Sequence, residues 1–180
     1  QTLISTSLDE TVRIWDCLSG TERQRIAGHP VAVYSSAVSP DGSRLVTGSV
    51  DGVIRWWELP SGKEAGRMGA TDHPVISLAF STDGRRLASG GGKSVILWDA
   101  GTRKQERDWV AHQDQIDVVL FSKDGKHVVS AGEDGWVYAW DAATGAKAGE
   151  IEDGAAAVCE LDFSPDGTKL ATAGSQARLW

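Results

Sequence analysis

The sequence predicts an all-β fold, a β-propeller built of four-stranded antiparallel blades. Three observations carry the prediction. Asp-Gly turns recur at Asp41, Asp83, Asp124 and Asp166, at intervals of 42, 41 and 42 residues. Tryptophans recur at Trp15, Trp57, Trp98, Trp140 and Trp180, at intervals of 42, 41, 42 and 40. Between the two markers lie short β-rich runs punctuated by Asx-Gly pairs, the strongest short-range signal for a hairpin. A period of this length that holds several short strands belongs to propeller blades. Stacked helix pairs would need apolar residues at a 3.6-residue period, and these segments alternate too briefly for that.

The unit is clearest from Pro40 to Glu58, which reads turn, strand, turn, strand: Asp41-Gly42, then Arg44 to Gly48, then Asp51-Gly52, then Val53 to Trp57. The chain opens on a partial repeat, 1–28, with strands at Thr2 to Ser7, Thr11 to Asp16 and Thr21 to Ile26. The full repeat 29–69 adds Val33 to Val38 before the unit and Glu64 to Met68 after it. The repeat 70–110 uses Val75 to Phe80, Arg86 to Ser89, Val95 to Asp99 and Lys104 to Val110. The repeat 111–152 uses Ile116 to Phe121, His127 to Ala131, Trp136 to Asp141 and Ala146 to Ile151. A partial repeat, 153–180, has Val158 to Phe163, Lys169 to Ala173 and Ala177 to Trp180.

With strands lettered a to d within a blade, the order is b-c-d, three times a-b-c-d, then a-b-c. Eighteen strands do not divide into closed four-stranded blades, and an open arc leaves sheet edges and apolar faces bare. The expectation is a contiguous part of a larger propeller of about seven blades, with a closed four-bladed ring as the alternative. Within strand c, Ile14, Trp56, Leu97, Ala139 and Leu179 share one face and the recurrent tryptophans the other.

The 180 residues carry a net charge of −7, which argues against a nucleic-acid backbone as partner. No apolar run reaches membrane-spanning length, and no signal-peptide pattern opens the chain. Cys17 and Cys159 lack metal-ligand spacing and read as free thiols of a reducing compartment. There is no phosphate-binding loop, nucleophile elbow or Cys/His cluster, so no catalysis and no cofactor or metal are expected. Asp16, Asp99 and Asp141 repeat at one blade position, as structural residues do.

The pieces Gly28-His29, Ser39-Pro40-Asp41-Gly42, Asp51 and Trp57-Glu58, with Trp15-Asp16, Trp98-Asp99, Ala111-His112 and Trp140-Asp141, resemble the WD-repeat family over essentially the whole chain. The resemblance implies a network of histidine, Ser or Thr, aspartate and tryptophan in each regular blade. Here that means His29, Thr47, Asp51 and Trp57, and again His112, Ser130, Asp134 and Trp140. The physics agrees: a buried carboxylate needs donors, a histidine supplies one, and a hydroxyl relays to the indole. Other repeats depart from it. Gly92 stands in the place of the turn aspartate, His73 falls about two residues late, and Gly154 or a neighbour fills the last histidine place.

The resemblance also implies a partner face where strand a begins and the b-c turns lie. That position matches Tyr34, Ile76, Asp117 and Cys159, with Leu8, Val50 and Glu133 beside the turns. This mixture suits a protein or peptide better than a phosphate group. The expected function is a non-catalytic protein-interaction scaffold, cytoplasmic or else nuclear. The alternative is a regulatory or sensor domain that contacts flanking domains of a larger signalling chain, and a propeller hydrolase ranks last. Trp109 and Trp136 fall outside the tryptophan register and read as contact sites or edge cover. Trp56 reads as filler between blades.

Overall fold

In the computed structural model, residues 2–69, 71–154 and 156–180 are described. The expected first residues of the first and third repeats, Gln1 and Ala70, lie outside them. The chain divides into two compact units, Gln1–Val75 and Ile76–Trp180. All of the described sheet is antiparallel and meanders in sequence order.

The first unit holds two sheets. One is β1 (Thr2–Thr6), β2 (Val12–Asp16) and β3 (Glu22–Ile26). The other is β4 (Val33–Val38), β5 (Arg44–Ser49), β6 (Ile54–Glu58) and β7 (Lys63–Met68). The second unit holds three. The first is β8 (Ser77–Phe80), β9 (Arg86–Gly91), β10 (Ser94–Asp99) and β11 (Gln105–Val110). The next is β12 (Ile116–Phe121), β13 (His127–Gly132), β14 (Trp136–Asp141) and β15 (Lys147–Glu152). The last is β16 (Val158–Phe163), β17 (Leu170–Gly174) and β18 (Ala177–Leu179). These are the blades that the period predicts.

Burial falls from the middle of each blade outward. In β5 and β6 nearly every residue is buried, whereas β11 and β15 are exposed almost throughout. In the first unit, Val12, Ile14 and Ile26 pack with Val33, Leu45 and Trp57 from the second sheet. In the second unit, Ala79, Ala88, Val95 and Leu97 pack with Ile116, Val119, Phe121 and Trp140. Shortening one of the buried leucines there, such as Leu45 or Leu97, costs about 2–5 kcal/mol.

Close approach explains two glycines at the end of strand b. A Cβ on Gly48 would lie 2.4 Å from Val75 Cγ1, and one on Gly90 would lie 2.7 Å from Val119 Cγ1. The a-b hairpins share one device. The Ser39, Ser81, Ser122 and Ser164 hydroxyls each donate to the turn aspartate two residues on, and each accepts the amide of the residue that opens strand b or stands just before it. At Asp41 the Ser39 hydroxyl, followed by the Ser43 amide and hydroxyl, holds the carboxyl down to about 2.

The ladders are interrupted at fixed places. On strand a, Val33 pairs with Ser49 and Ser35 with Gly48, so Tyr34 is left out. Asp117 is skipped in the same way between Ile116 and Val118, and Cys159 between Val158 and Glu160. Each is a β-bulge, which frees one residue from the ladder and re-aims its side chain.

Candidate functional site

All five recurrent tryptophans donate their indole N–H to a hydroxyl on strand b. The pairs are Trp15 to Ser5 (2.9 Å), Trp57 to Thr47 (2.9 Å), Trp98 to Ser89 (2.8 Å), Trp140 to Ser130 (2.9 Å) and Trp180 to Thr172 (3.2 Å). Trp57, Trp98 and Trp140 are buried, so each N–H needs such a partner.

In the fourth repeat the relay runs on from the hydroxyl. His112 Nε2 lies 2.8 Å from Ser130 Oγ, and Nδ1 lies 2.9 and 3.0 Å from the two oxygens of Asp134. Because Ser130 accepts from the indole, its own proton is free for Nε2, and Nδ1–H then donates to the carboxylate. Asp134 also accepts from the Gln113 and Trp136 amides. Burial pushes its carboxyl upward, but the His112 and amide hydrogen bonds outweigh that and hold it below the usual range.

The second repeat corrects the expectation. His29 Nε2 meets Thr47 Oγ1 at 2.8 Å, but Asp51 does not bond to His29. Asp51 accepts instead from Arg55 Nη2 (2.6 Å) and Nη1 (3.2 Å), from Ser49 Oγ (2.7 Å) and from the Val53 amide (3.1 Å). His29 Nδ1 is buried and has no partner. The reason lies two residues before the tryptophan. There the second repeat has Arg55 and the fourth has Tyr138. A buried guanidinium demands the carboxylate, whereas Tyr138 only packs on His112, with ring centroids 4.8 Å apart. Burial, followed by the nearby Arg55 charge, lowers His29 to about 4. Burial works to raise Asp51, and the Arg55 and Ser49 hydrogen bonds overcome it, leaving that carboxyl at about 2.

Other repeats vary the theme. Arg13 reaches Asp9 at 2.6 Å in the first repeat. The fifth repeat has no turn aspartate, and Asp153 takes the histidine place. It accepts from Thr172 Oγ1 (2.6 Å) and Arg178 (2.8 Å). Here the carboxylate itself meets the hydroxyl, and the arginine bonds the carboxylate. In the third repeat His73 is exposed, and the Trp98–Ser89 bond stands without a histidine.

Of the residues expected on the partner face, Tyr34, Cys159 and Glu133 are exposed, and Ile76 and Asp117 are half-buried. Tyr34, Asp117 and Cys159 are the three bulge residues of strand a. The Ile76 amide donates to Gly90 O, beside the Ser77–Gly90 pair. Cys17 and Cys159 are free thiols. Trp136 stacks on Tyr138, and Trp109 leans on Trp140. Trp56 is fully buried, with its N–H 2.8 Å from Met68 Sδ. Among the described residues no His, Cys, Asp or Glu cluster could hold a metal ion, and no helix is long and apolar enough to cross a membrane.

The family model for the WD domain, G-beta repeat, matches residues 20–58, 66–99, 103–141 and 149–180. The chain belongs to this family. Its matched segments end at Glu58, Asp99, Asp141 and Trp180, so they coincide with the tryptophan register. This WD-repeat chain is also similar to Coronin-7 of Rattus norvegicus and of Mus musculus, each 51% identical over 45 residues, and to Coronin-7 of Homo sapiens, 49% identical over the same length. Those 45 residues are 25% of this chain and 5% of the relatives.

Proposed function

We propose that this chain is a non-catalytic protein-interaction scaffold that takes protein or peptide partners on the face where strand a begins. The observation that carries the reading is the repeated bulge. It sets Tyr34, Asp117 and Cys159 outside the ladders of their three separate sheets, where side chains are free for contact. The carboxylates beneath the face support a non-catalytic reading, since Asp51, Asp134 and Asp153 are each taken up by several donors. We read the five sheets as consecutive blades of a larger propeller of about seven, as the family implies, acting in the cytoplasm or nucleus.

The test places a photo-cross-linking residue at position 34 of the full-length protein, identifies the adduct, and measures that partner's affinity for the parent and for Tyr34→Ala. An aromatic anchor at the centre of an interface predicts a loss of about tenfold or more, with the urea midpoint little changed. Equal affinities would remove this face from consideration.

A further inference from the structure

We propose that the end face of the first unit, centred on Leu8, Tyr34 and Val50 and edged by Glu10, binds an extended peptide in which an apolar side chain stands beside a lysine or arginine. The inference rests on the reading that this face takes a protein partner, and it names the chemistry of that partner.

Three separate segments bring the apolar residues together. The Val33 amide donates to Ser7 O and the Val50 amide to Ala32 O, both at 3.1 Å. Leu8, Tyr34 and Val50 therefore stand at or next to these two bonds. Their exposures are 71%, 45% and 38%. Single exposed apolar residues are ordinary, but three converging from different segments make a contact patch.

The edge of the patch is acidic. Asp9 and Asp51 flank Leu8 and Val50, and their charges are matched by Arg13 and Arg55. Glu10 and Asp72 form no ion pair among the described residues. Asp72 lies in the segment that the Thr71 and Val75 amides fasten to Gly52 O and Ser49 O, on the turn that carries Val50. Both arginines of this end are engaged, so the face keeps unmatched negative charge. A partner with a cation beside its apolar anchor complements it.

Glu10 gives the independent sign. Its φ is +68°, at a turn place where the second and fourth repeats have Gly52 (+73°) and Gly135 (+74°). A residue with a Cβ is disfavoured in that left-handed region, and glycine is the natural occupant. An exposed acid held there, beside a bare apolar patch, is a strained choice of the kind that gathers at binding sites.

The test is a selection of randomised peptides displayed on phage against the full-length protein. It is followed by affinities of the enriched peptides for the parent, Glu10→Gly and Tyr34→Ala at low and high salt. We expect enrichment of an apolar residue next to Lys or Arg. Glu10→Gly should bind about three- to fivefold more weakly at low salt, with the gap closing at high salt. Its thermal midpoint should stay level or rise, because glycine suits the turn. Fold and binding thus move in opposite directions, which a structural role for Glu10 does not produce. No enrichment, enriched peptides without a basic residue, or unchanged binding to Glu10→Gly overturns the inference. If Tyr34→Ala weakens binding and Glu10→Gly does not, the charge rule fails while the face remains a partner site. If neither variant matters, both fail.

Discussion

Arg55 grips Asp51 with two guanidinium nitrogens, at 2.6 and 3.2 Å, and so keeps that carboxylate away from the ring of His29. One side chain two residues before a tryptophan thus decides how a whole blade network is wired. The fourth repeat, with Tyr138 in that place, has the other wiring.

Asp51→Ala should destabilise the full-length protein by about 3 kcal/mol in urea melts, since it strands a guanidinium that is almost wholly buried. The loss should shrink markedly in the double variant Asp51→Ala with Arg55→Leu, where no buried charge remains. If the double variant is as unstable as the single one, the pair is not the source of the cost.

Two perturbed groups of the second repeat predict separate pH windows. His29 falls from 6.5 to about 4 in the folded protein. Below 6.5 the unfolded chain binds a proton that the folded chain refuses, so stability falls as pH drops from about 6.5 to 4. Asp51 falls from 3.8 to about 2, so its contribution is present above 3.8 and is lost as pH falls through 2. Urea midpoints from pH 7 to 4 should fall less steeply in His29→Gln than in the parent. Parallel profiles would show that the imidazole does not titrate with folding.

Exchanging the deciding residue should exchange the wiring. Arg55→Tyr releases Asp51 toward His29, and the His29 pKa, followed by its ring resonances in NMR titration, should rise. Tyr138→Arg should draw Asp134 off His112 and leave that ring without its carboxylate. An unmoved His29 titration in Arg55→Tyr would mean that the loop backbone, rather than the residue two before the tryptophan, sets the partner.

Gly92 has no carboxylate to lose, yet its φ is +52°. Gly92→Ala should therefore cost about 1 kcal/mol from the backbone alone, well below Asp51→Ala. Urea melts of the two variants side by side make the comparison.

Much of the blade map was legible because its markers are local. An Asp-Gly turn and a tryptophan fix a hairpin within a few residues, and β4, β12, β14 and β16 begin and end where the sequence places them. The wiring was harder to read, because a buried carboxylate goes to whichever donor most needs it. The signal was present: Arg13, Arg55 and Arg178 each stand two residues before a recurrent tryptophan. Asp153 was hidden because a carboxylate in a histidine place can serve the same hydroxyl from the same side. The bulges left a trace too. Ile116, Val119 and Phe121, then Val158, Leu161 and Phe163 are spaced three and then two apart. Strict alternation would put the first of each trio on the opposite face from the second.

That spacing makes the bulge a shift of phase along strand a. Ile116 and Val119 join one buried cluster because Asp117 drops out of the count between them. Replacing a bulge residue changes one outward side chain and leaves the strand in step. Deleting it restores strict alternation and turns the remainder of the strand over, exchanging the residues of its two packed faces. At Tyr34, Asp117 and Cys159 the chain is therefore permissive in identity and strict in number, so that what each blade displays can be rewritten one letter at a time.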